Sequence, residues 1–237
     1  MENVHVCLNY SVREVSGVEN NKKYRVDRLK LISYKCQKKK NIKDMTCRYL
    51  AKSQIIKCNA QRKKLIFVNF RGSHFKKVSF DATTFWGDDF WGATFNGCSF
   101  KKAVISDCVF MACKFKNCDF TDAKFLYSTI VNTNLSHCKN IALESGVRIY
   151  KQYPKNDCND DLLHALEVMK DNRELRKNKL LHLPGNRNNE LNLYMLLKKF
   201  RKNELSNLLL ELNKKSTKNI TTYKKLELEL KKVKDML

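Results

Sequence analysis

A five-residue period runs through the middle of the chain, from residue 65 to residue 135. Every fifth position in this stretch carries a large apolar side chain, and no insertion or deletion shifts the frame. An α-helix does not produce this pattern, because five is not a multiple of its period of about 3.6 residues. Repetition at a fixed period is the signature of a solenoid. The series is Leu65, Phe70, Phe75, Phe80, Phe85, Phe90, Phe95, Phe100, Ile105, Phe110, Phe115, Phe120, Phe125, Ile130 and Leu135.

A compact side chain lies two positions before each large one, as Val68, Ala93 and Cys98 do, and only Asp88 departs from this rule. Residues two apart in extended backbone point to the same side. Each unit therefore contains a short extended piece with a small and a large inward side chain. The next inward residue is three positions on, so the chain must turn once in every five residues. An inward carboxyl group at Asp88 needs partners, and we expect a local bulge there.

Units such as Ala-Thr-Phe-Asn-Gly at 93–97, Cys-Asp-Phe-Thr-Asp at 118–122 and Ala-Lys-Phe-Leu-Tyr at 123–127 resemble the pentapeptide-repeat family. The resemblance covers about residues 50–140. It implies a right-handed quadrilateral β-helix with four repeats in each coil. On that fold, residues twenty apart in sequence stack at about 4.8 Å, as in a parallel sheet.

The limits of the period divide the chain into four predicted regions. The alternation over Val4–Val12 predicts one half-buried strand before the repeats, and Tyr24–Tyr34 predicts another. We therefore expect a mainly β solenoid with an N-terminal β-rich cap and a C-terminal α-helical region. The predicted domains are the cap (1–44), the repeat solenoid (45–140), a connector (141–156) and the helical region (157–237).

The C-terminal region changes to helical spacing. Asp157 or Asn159 is expected to cap a first helix, and the Pro-Gly pair within Leu183–Asn186 predicts a break. A second helix is expected over about 189–215, with an interruption near Asn203. The helices form a bundle, lie on the solenoid, or pair between chains through the third helix. That third helix carries Leu226, Leu230, Val233 and Leu237.

When residues twenty apart are stacked as the resemblance implies, the outward positions divide into an apolar half and a mostly basic, polar half. Contiguous exposed apolar surface marks a docking site. Either the C-terminal helices cover this half, or a protein partner or second copy binds there with the aromatic residues as anchors. The unassigned apolar helix faces favour the intramolecular cover. The candidate docking residues are Ile66, Trp86, Trp91, Met111, Leu126 and Val131.

The basic half is the candidate binding surface for nucleic acid or another anion. The formal net charge of +23 favours an anionic partner, although a compositional bias that produces solvated faces explains the same charge. No aromatic side chain lies clearly among the lysines, so a stacking platform for single strands is not indicated. The candidate residues are Lys76, Lys77, Lys101, Lys102, Lys114 and Lys116.

Nothing in the sequence combines into a catalytic site. It contains no nucleophile elbow, P-loop, dinucleotide-binding glycine pattern or paired-histidine metal helix. Cys108, Cys113 and Cys118 are five residues apart, which places them on successive inner faces as compact apolar residues. This spacing differs from that of zinc sites. We therefore predict no enzyme activity, no cofactor and no metal.

The predicted function is that of a non-enzymatic scaffold or protein-interaction protein, which binds an unknown protein or forms a homodimer. The alternative is a nucleic-acid-binding protein that uses the lysine-rich side. A topoisomerase-modulating role is implied only by the family resemblance, and it is less favoured because mimicry of duplex DNA needs an acidic rod. With no secretory signal and no apolar run long enough to span a bilayer, we expect a soluble cytoplasmic protein. Export as an effector stays open.

Overall fold

The computed structural model describes residues 28–33, 40–144, 146–153 and 155–237. The predicted strand over Val4–Val12 lies outside these residues. Residues 28–33 of the predicted strand over Tyr24–Tyr34 are described, and they contain a strand at Lys30–Ile32. The described part consists of a parallel β-solenoid of about six turns, followed by a helical region.

The solenoid is built from strands of two or three residues, each followed by a turn. Turn residues such as Lys77, Ala82 and Lys102 have φ angles of 52°, 54° and 58°, in the left-handed region. One such residue in each unit turns the chain through a corner. The strands are β1 (Lys30–Ile32), β2 (Met45–Thr46), β3 (Gln54–Ile56), β4 (Lys64–Ile66), β5 (His74–Lys76), β6 (Thr84–Trp86), β7 (Thr94–Asn96), β8 (Val104–Ser106), β9 (Val109–Met111), β10 (Lys114–Lys116), β11 (Cys118–Asp119), β12 (Lys124–Leu126), β13 (Thr129–Val131), β14 (Cys138–Lys139) and β15 (Arg148–Tyr150).

Strands of successive turns pair in parallel, and through the repeats the register is twenty residues, as in Leu65 opposite Phe85 and Phe85 opposite Ile105. This pairing produces four faces. The lysine face contains β1, β3, β5, β7 and β10, and the Trp86 face contains β2, β4, β6, β8 and β12. The helix face contains β9, β13 and β15 and is continued by the bridges Tyr49–Asn69–Asp89–Val109. The ladder face contains β11 and β14 and is continued by the bridges Asn59–Ser79–Ser99–Asp119.

Pairing extends beyond the predicted limits of the solenoid at both ends. Leu31, within the predicted cap, lies opposite Ile55, which is 24 residues later. Ile149, within the predicted connector, lies opposite Ile130. Neither spacing is twenty, so neither strand continues the five-residue phase from which the boundaries were predicted.

The interior is a set of phenylalanine columns, which confirms that the five-residue series faces inward. Phe95 stacks on Phe75 at 4.8 Å and on Phe115 at 4.6 Å between ring centroids. The same series includes the buried Phe80 and Phe100, stacked at 5.0 Å. Burial of large rings in offset-stacked and edge-to-face contact is the main stabilising term of such a core.

Polar side chains at the compact inward positions form hydrogen bonds with buried backbone groups. Ser73 Oγ accepts a hydrogen bond from the backbone N–H of Ser53 at 3.0 Å and donates to the carbonyl of Leu50 at 3.0 Å. Ser128 Oγ accepts from the N–H of Cys108 at 3.1 Å in the same way. A short polar side chain therefore fits this slot because it bonds to backbone groups of the turn below.

The C-terminal region forms five helices within the described residues and one β-hairpin. Asn159, one of the two predicted capping residues, accepts a hydrogen bond from Leu162 N at 3.3 Å. The predicted second helix is two helices separated by residues 198–201. The elements are α1 (Asp160–Met169), α2 (Arg173–Lys177), β16 (His182–Leu183), β17 (Arg187–Asn188), α3 (Glu190–Leu197), α4 (Lys202–Asn213) and α5 (Tyr223–Lys234). Across the described residues, every helix is too short or too polar to traverse a lipid bilayer.

Candidate functional site

The helical region docks on the helix face. It covers one part of the predicted apolar half and leaves the other part uncovered. Val131 is fully buried in the core of the helical region, together with Val109, and Trp91 and Met111 pack against the same core. Three of the six candidate docking residues therefore lie in an intramolecular interface. The other three, Ile66, Trp86 and Leu126, lie on the Trp86 face, which the helices border but do not fully cover.

A buried ion pair lies where the helices meet the solenoid. Arg71 Nε donates to Asp89 Oδ2 at 2.9 Å, and both side chains are buried. The Arg71 guanidinium also lies over the Trp91 ring, 4.2 Å from its centre. The Nη2 of Arg71 has no hydrogen-bond partner among the described residues. Arg71 and Asp89 are therefore interface residues. The five-residue period alone predicts only that their side chains point outward.

Polar contacts also hold the helical region in place. The side-chain amide of Asn69 donates to the carbonyls of Asn178 at 3.2 Å and Thr221 at 2.9 Å. Thr221 Oγ1 donates to the carbonyl of Phe67. These buried bonds fix the helices to one register along the rod, since displacement would leave buried polar groups without partners.

Trp86 lies at the edge of this interface. Its ring packs on Phe67 with a centroid separation of 4.7 Å, and its Nε1 donates to Asp107 Oδ2 at 3.2 Å. Asp107 in turn pairs with Lys224 of α5 at 3.0 Å. The indole keeps 37% of its surface exposed, and Tyr127 further along the rod is 65% exposed. The remaining apolar surface is therefore a narrow strip.

Among the residues that the structure describes, the outward side chains of the lysine face are exposed or half-buried. Lys76, Lys77, Lys114 and Lys116 are all exposed there and form no ion pair among the described residues. Lys76 and Lys116 lie in one column, two turns apart through Asn96. Strand spacing places their backbones about 10 Å from each other. No Asp or Glu occurs in the segments that form this face, which are 30–33, 52–57, 72–77, 92–97, 112–117 and 132–137.

The ladder face separates the other two candidate lysines from this surface. Lys101 Nζ lies 3.5 Å from Asp119 Oδ2, and the Lys101 backbone N–H donates to Asp81 Oδ1 at 3.1 Å. Lys102 is exposed at the next corner. Carboxylates thus neutralise part of the charge of Lys101, and the six lysines do not form one continuous basic surface.

Asp88 does not mark a bulge, so that prediction is wrong. Its neighbour Asp89 bridges Asn69 and Val109 in the regular twenty-residue register. Asp88 Oδ1 accepts from the N–H of Val68 at 2.6 Å, as a serine does elsewhere. Complete burial raises the pKa of Asp88 well above its ordinary value. Its Oδ2 is buried without a hydrogen-bond partner among the described residues.

Five of the described cysteines are buried inside the solenoid, namely Cys58, Cys98, Cys108, Cys113 and Cys118, and the other three, Cys47, Cys138 and Cys158, are half-buried. Every cysteine in the described residues is a free thiol. Cys98, Cys118 and Cys138 stack in successive turns, and the hydrogen bond to Cys118 together with burial raises the pKa of Cys98. Burial also raises the pKa of Cys138, to about 12. Thiols with raised pKa values are poor nucleophiles at neutral pH. In the described ranges, no group of three or more His, Cys, Asp or Glu residues is placed to hold a metal ion.

The register, the four faces and the docked helices define a parallel β-solenoid with a helical appendage. Residues 90–139 match the family model for pentapeptide repeats, with nine copies. Residues 90–139 are therefore pentapeptide repeats. Comparison with curated protein sequences finds no match.

Three solved structures show the range of similar proteins. A pentapeptide-repeat protein from the thylakoid lumen of Arabidopsis thaliana is 16% identical, with coverage of 53% of this chain and 76% of that one and a TM-score of 0.39. HetL from Nostoc, involved in regulation of heterocyst differentiation, is 14% identical, with coverage of 46% and 71% and a TM-score of 0.25. The plasmid-mediated fluoroquinolone resistance protein QnrB1 is 11% identical, with coverage of 52% and 92% and a TM-score of 0.17.

Proposed function

We propose that this protein is a non-catalytic binding scaffold whose lysine face binds an anionic polymer, with the phosphate backbone of nucleic acid as the favoured ligand. The observation that carries this proposal is the absence of carboxylates from a face with four exposed, unpaired lysines at positions 76, 77, 114 and 116. Unpaired lysines on a rigid surface attract phosphates without reading sequence.

The division of the apolar half supports the same function. The helices already cover Trp91 and Val131, so the rod has less apolar surface left for a protein partner. The four lysines of the lysine face, by contrast, are exposed in the described part of the chain. A basic face of this kind argues against mimicry of duplex DNA, which needs an acidic rod.

Binding to a labelled duplex across a salt series tests the proposal. Log affinity falls linearly with log salt, with a slope of about −0.9 for each phosphate neutralised. The triple variant Lys76→Gln, Lys114→Gln, Lys116→Gln is expected to make this slope shallower by about 2 to 3 and to weaken binding for all sequences alike.

The matched control is the triple variant Lys101→Gln, Lys102→Gln, Lys124→Gln, which removes the same charge from other faces. It is expected to retain most of the slope. Equal loss in both triple variants would mean that net charge alone attracts the duplex. Negligible binding of the unmodified protein at physiological salt would reject nucleic acid as the ligand.

Protein docking on the Trp86 face is the second candidate, and the exposed rings of Trp86 and Tyr127 favour it. Exposed aromatic residues act as anchors in protein interfaces. If a second copy binds there, Trp86→Ser with Tyr127→Ser is expected to convert a dimer to a monomer in sedimentation measurements. Nucleic-acid affinity should not change in that variant. A monomer at all concentrations would exclude self-association.

A further inference from the structure

A cleft of about 250 Å³ lies between the first turns of the solenoid and the helical region. Tyr49 forms its solenoid side, and the segment that follows α2 together with the β16–β17 hairpin forms the other side. The cleft is on the helix face, so it is distinct from the lysine face. It is lined by Tyr49, Arg176, Lys177, Lys179, His182, Leu183, Pro184 and Gly185.

Positive charge dominates the lining. Arg176 and Lys179 have no ion-pair partner among the described residues, and Lys177 makes one long contact of 3.8 Å with Glu174. The Lys177 ammonium also lies 5.6 Å from the centre of the Tyr49 ring. The three cations Arg176, Lys177 and Lys179 thus have one carboxylate, that of Glu174, as an ion-pair partner among the described residues.

Further cations lie behind the lining. Burial lowers the pKa of Lys179, and the charges of Arg71 and Lys52 lower it further. Arg71 pairs with Asp89 but keeps Nη2 without a partner, and Arg28 Nε is also buried without one. The surroundings therefore hold more positive charge than the nearby carboxylates neutralise. A bound anion would relieve this repulsion.

His182 adds a buried polar group to the wall. It is 4% exposed, and the backbone of Leu166 lies close enough to its ring to raise its pKa, although neither ring nitrogen makes a hydrogen bond of good geometry among the described residues. Burial and the nearby Lys170 lower its pKa, while Glu167 acts in the opposite direction. A neutral imidazole keeps one N–H donor.

The backbone presents Lys179 to the cleft in an unusual conformation. Lys179 has a φ of +56° at the end of α2, where its N–H donates to the carbonyl of Arg176 at 3.1 Å and the next N–H, of Leu180, donates to Leu175 at 3.0 Å. Glycine is the usual residue at this position of a helix end. The lysine is held there despite the steric strain of the left-handed region.

We propose that this cleft binds the phosphate group of a small phosphorylated molecule, with Arg176, Lys177 and Lys179 as its cationic ligands. Arginine and lysine next to one another suit a phosphate, because the guanidinium donates in a fixed fork and the ammonium supplies a point charge. The volume is below the usual range of about 300 to 1,000 Å³ for drug-sized ligands. A phosphate with a short organic portion is therefore the expected size of ligand.

Thermal unfolding and calorimetric titration with sodium pyrophosphate test the proposal in the full-length protein. At a pyrophosphate concentration of about 100 Kd, Tm should rise by about 5 °C relative to sodium chloride at matched ionic strength. Lys179→Gly removes the charge while it relaxes the backbone, so the variant should fold at least as well as the unmodified protein. It is expected to weaken binding by about tenfold, and Arg176→Gln by a similar factor.

The lysine-face triple variant serves as the control, because it removes positive charge far from the cleft. It should bind pyrophosphate with unchanged affinity, whereas Lys179→Gly should bind the duplex with unchanged salt dependence. The two proposals therefore fail independently. The absence of a Tm shift beyond the sodium chloride reference would overturn the phosphate site, and so would equal binding by Lys179→Gly and the unmodified protein.

Discussion

The guanidinium of Arg71 lies 4.2 Å from the centre of the Trp91 ring, in the seam between the solenoid and its helical region. Arg71 comes from one turn of the rod and Trp91 from the next, and the helices cover the stack. A charged residue is stable there because Asp89 supplies its counter-charge within the same seam. The helical region thus excludes water from the helix face, where the ring of Trp91 lies beside the paired guanidinium of Arg71.

Removal of Asp89 should destabilise the protein strongly. Asp89→Ala leaves the Arg71 guanidinium buried without its carboxylate, and loss of one partner of a buried pair costs about 3 to 5 kcal/mol. Urea unfolding measures the change. Lys101→Ala breaks the half-exposed contact with Asp119 and should cost about 1 kcal/mol or less. Similar losses in both variants would show that the Arg71–Asp89 pair has no special role.

Truncation of an inward phenylalanine should leave a cavity and lower the free energy of unfolding. Phe95→Ala removes a ring stacked on both sides, and truncation of a buried phenylalanine costs about 3 to 5 kcal/mol. Asn96→Ala changes the next side chain, which points outward, and should alter stability by about 0.5 kcal/mol or less. Guanidinium unfolding of both variants checks the inside-outside assignment, and equal sensitivity would contradict it.

Alanine substitutions at two glycines can distinguish backbone strain from a steric clash with the docked helix α5. Gly87 and Gly92 have φ angles of +65° and +69°. A Cβ at Gly87 would lie 2.8 Å from the Cβ of Lys224 and from the ring of Phe67, whereas a Cβ at Gly92 would meet nothing within 4 Å. Gly92→Ala should therefore show only the cost of the left-handed conformation, about 1 to 2 kcal/mol.

Gly87→Ala should lose more, because α5 must move away from the rod as well. Fluorescence of the nearby Trp86 should then shift to longer wavelength in this variant and not in Gly92→Ala. Equal free energies of unfolding with unchanged emission would mean that α5 does not press on Gly87 in solution.

Local periodicity predicts most of this fold. The inward position of Phe95 follows from the five-residue series alone, and the helical spacing of Leu226 and Leu230 predicts α5. Strand β1 lies within the strand predicted over Tyr24–Tyr34, but its pairing with the solenoid was not predicted, because its partner is 24 residues later and outside the repeat phase. Asp88 was misread because its Oδ1 accepts the backbone hydrogen bond that a serine accepts in the same slot elsewhere, so no bulge is needed.

The candidate sites depend on contacts that no local pattern encodes. Tyr49 and Lys179 are more than a hundred residues apart, in regions of different period, so only the docking of the helices reveals their cleft. Folding the sequence at twenty residues already places Lys101 and Lys102 on the same face as Asp119, apart from the other four lysines, but it does not show that Lys101 pairs with Asp119. The series that includes Trp91 predicts that its side chain points outward, and the apolar helix faces favour cover by the helices, but neither pattern shows that only half of the candidate docking residues are covered.

Asp88 should make the stability of the protein dependent on pH. Burial raises the pKa of its carboxyl group in the folded state above the value in the unfolded chain. Between those two values the folded state binds more protons than the unfolded state, so the free energy of unfolding falls as pH rises. The contribution is fully present below the ordinary pKa of about 4 and decreases by up to about 1.4 kcal/mol for each pH unit above it.

Asp88→Ser should remove this dependence, because serine fills the equivalent slot at Ser73 and Ser128 with bonds to the backbone. Urea unfolding at pH 5 and pH 8 measures the effect, and the variant should gain more stability over the unmodified protein at pH 8 than at pH 5. Asp122→Ser removes a carboxylate from an exposed corner and corrects for the change in net charge. If Asp88→Ser gives the same gain at both pH values, the buried carboxyl group is not the source of the pH dependence.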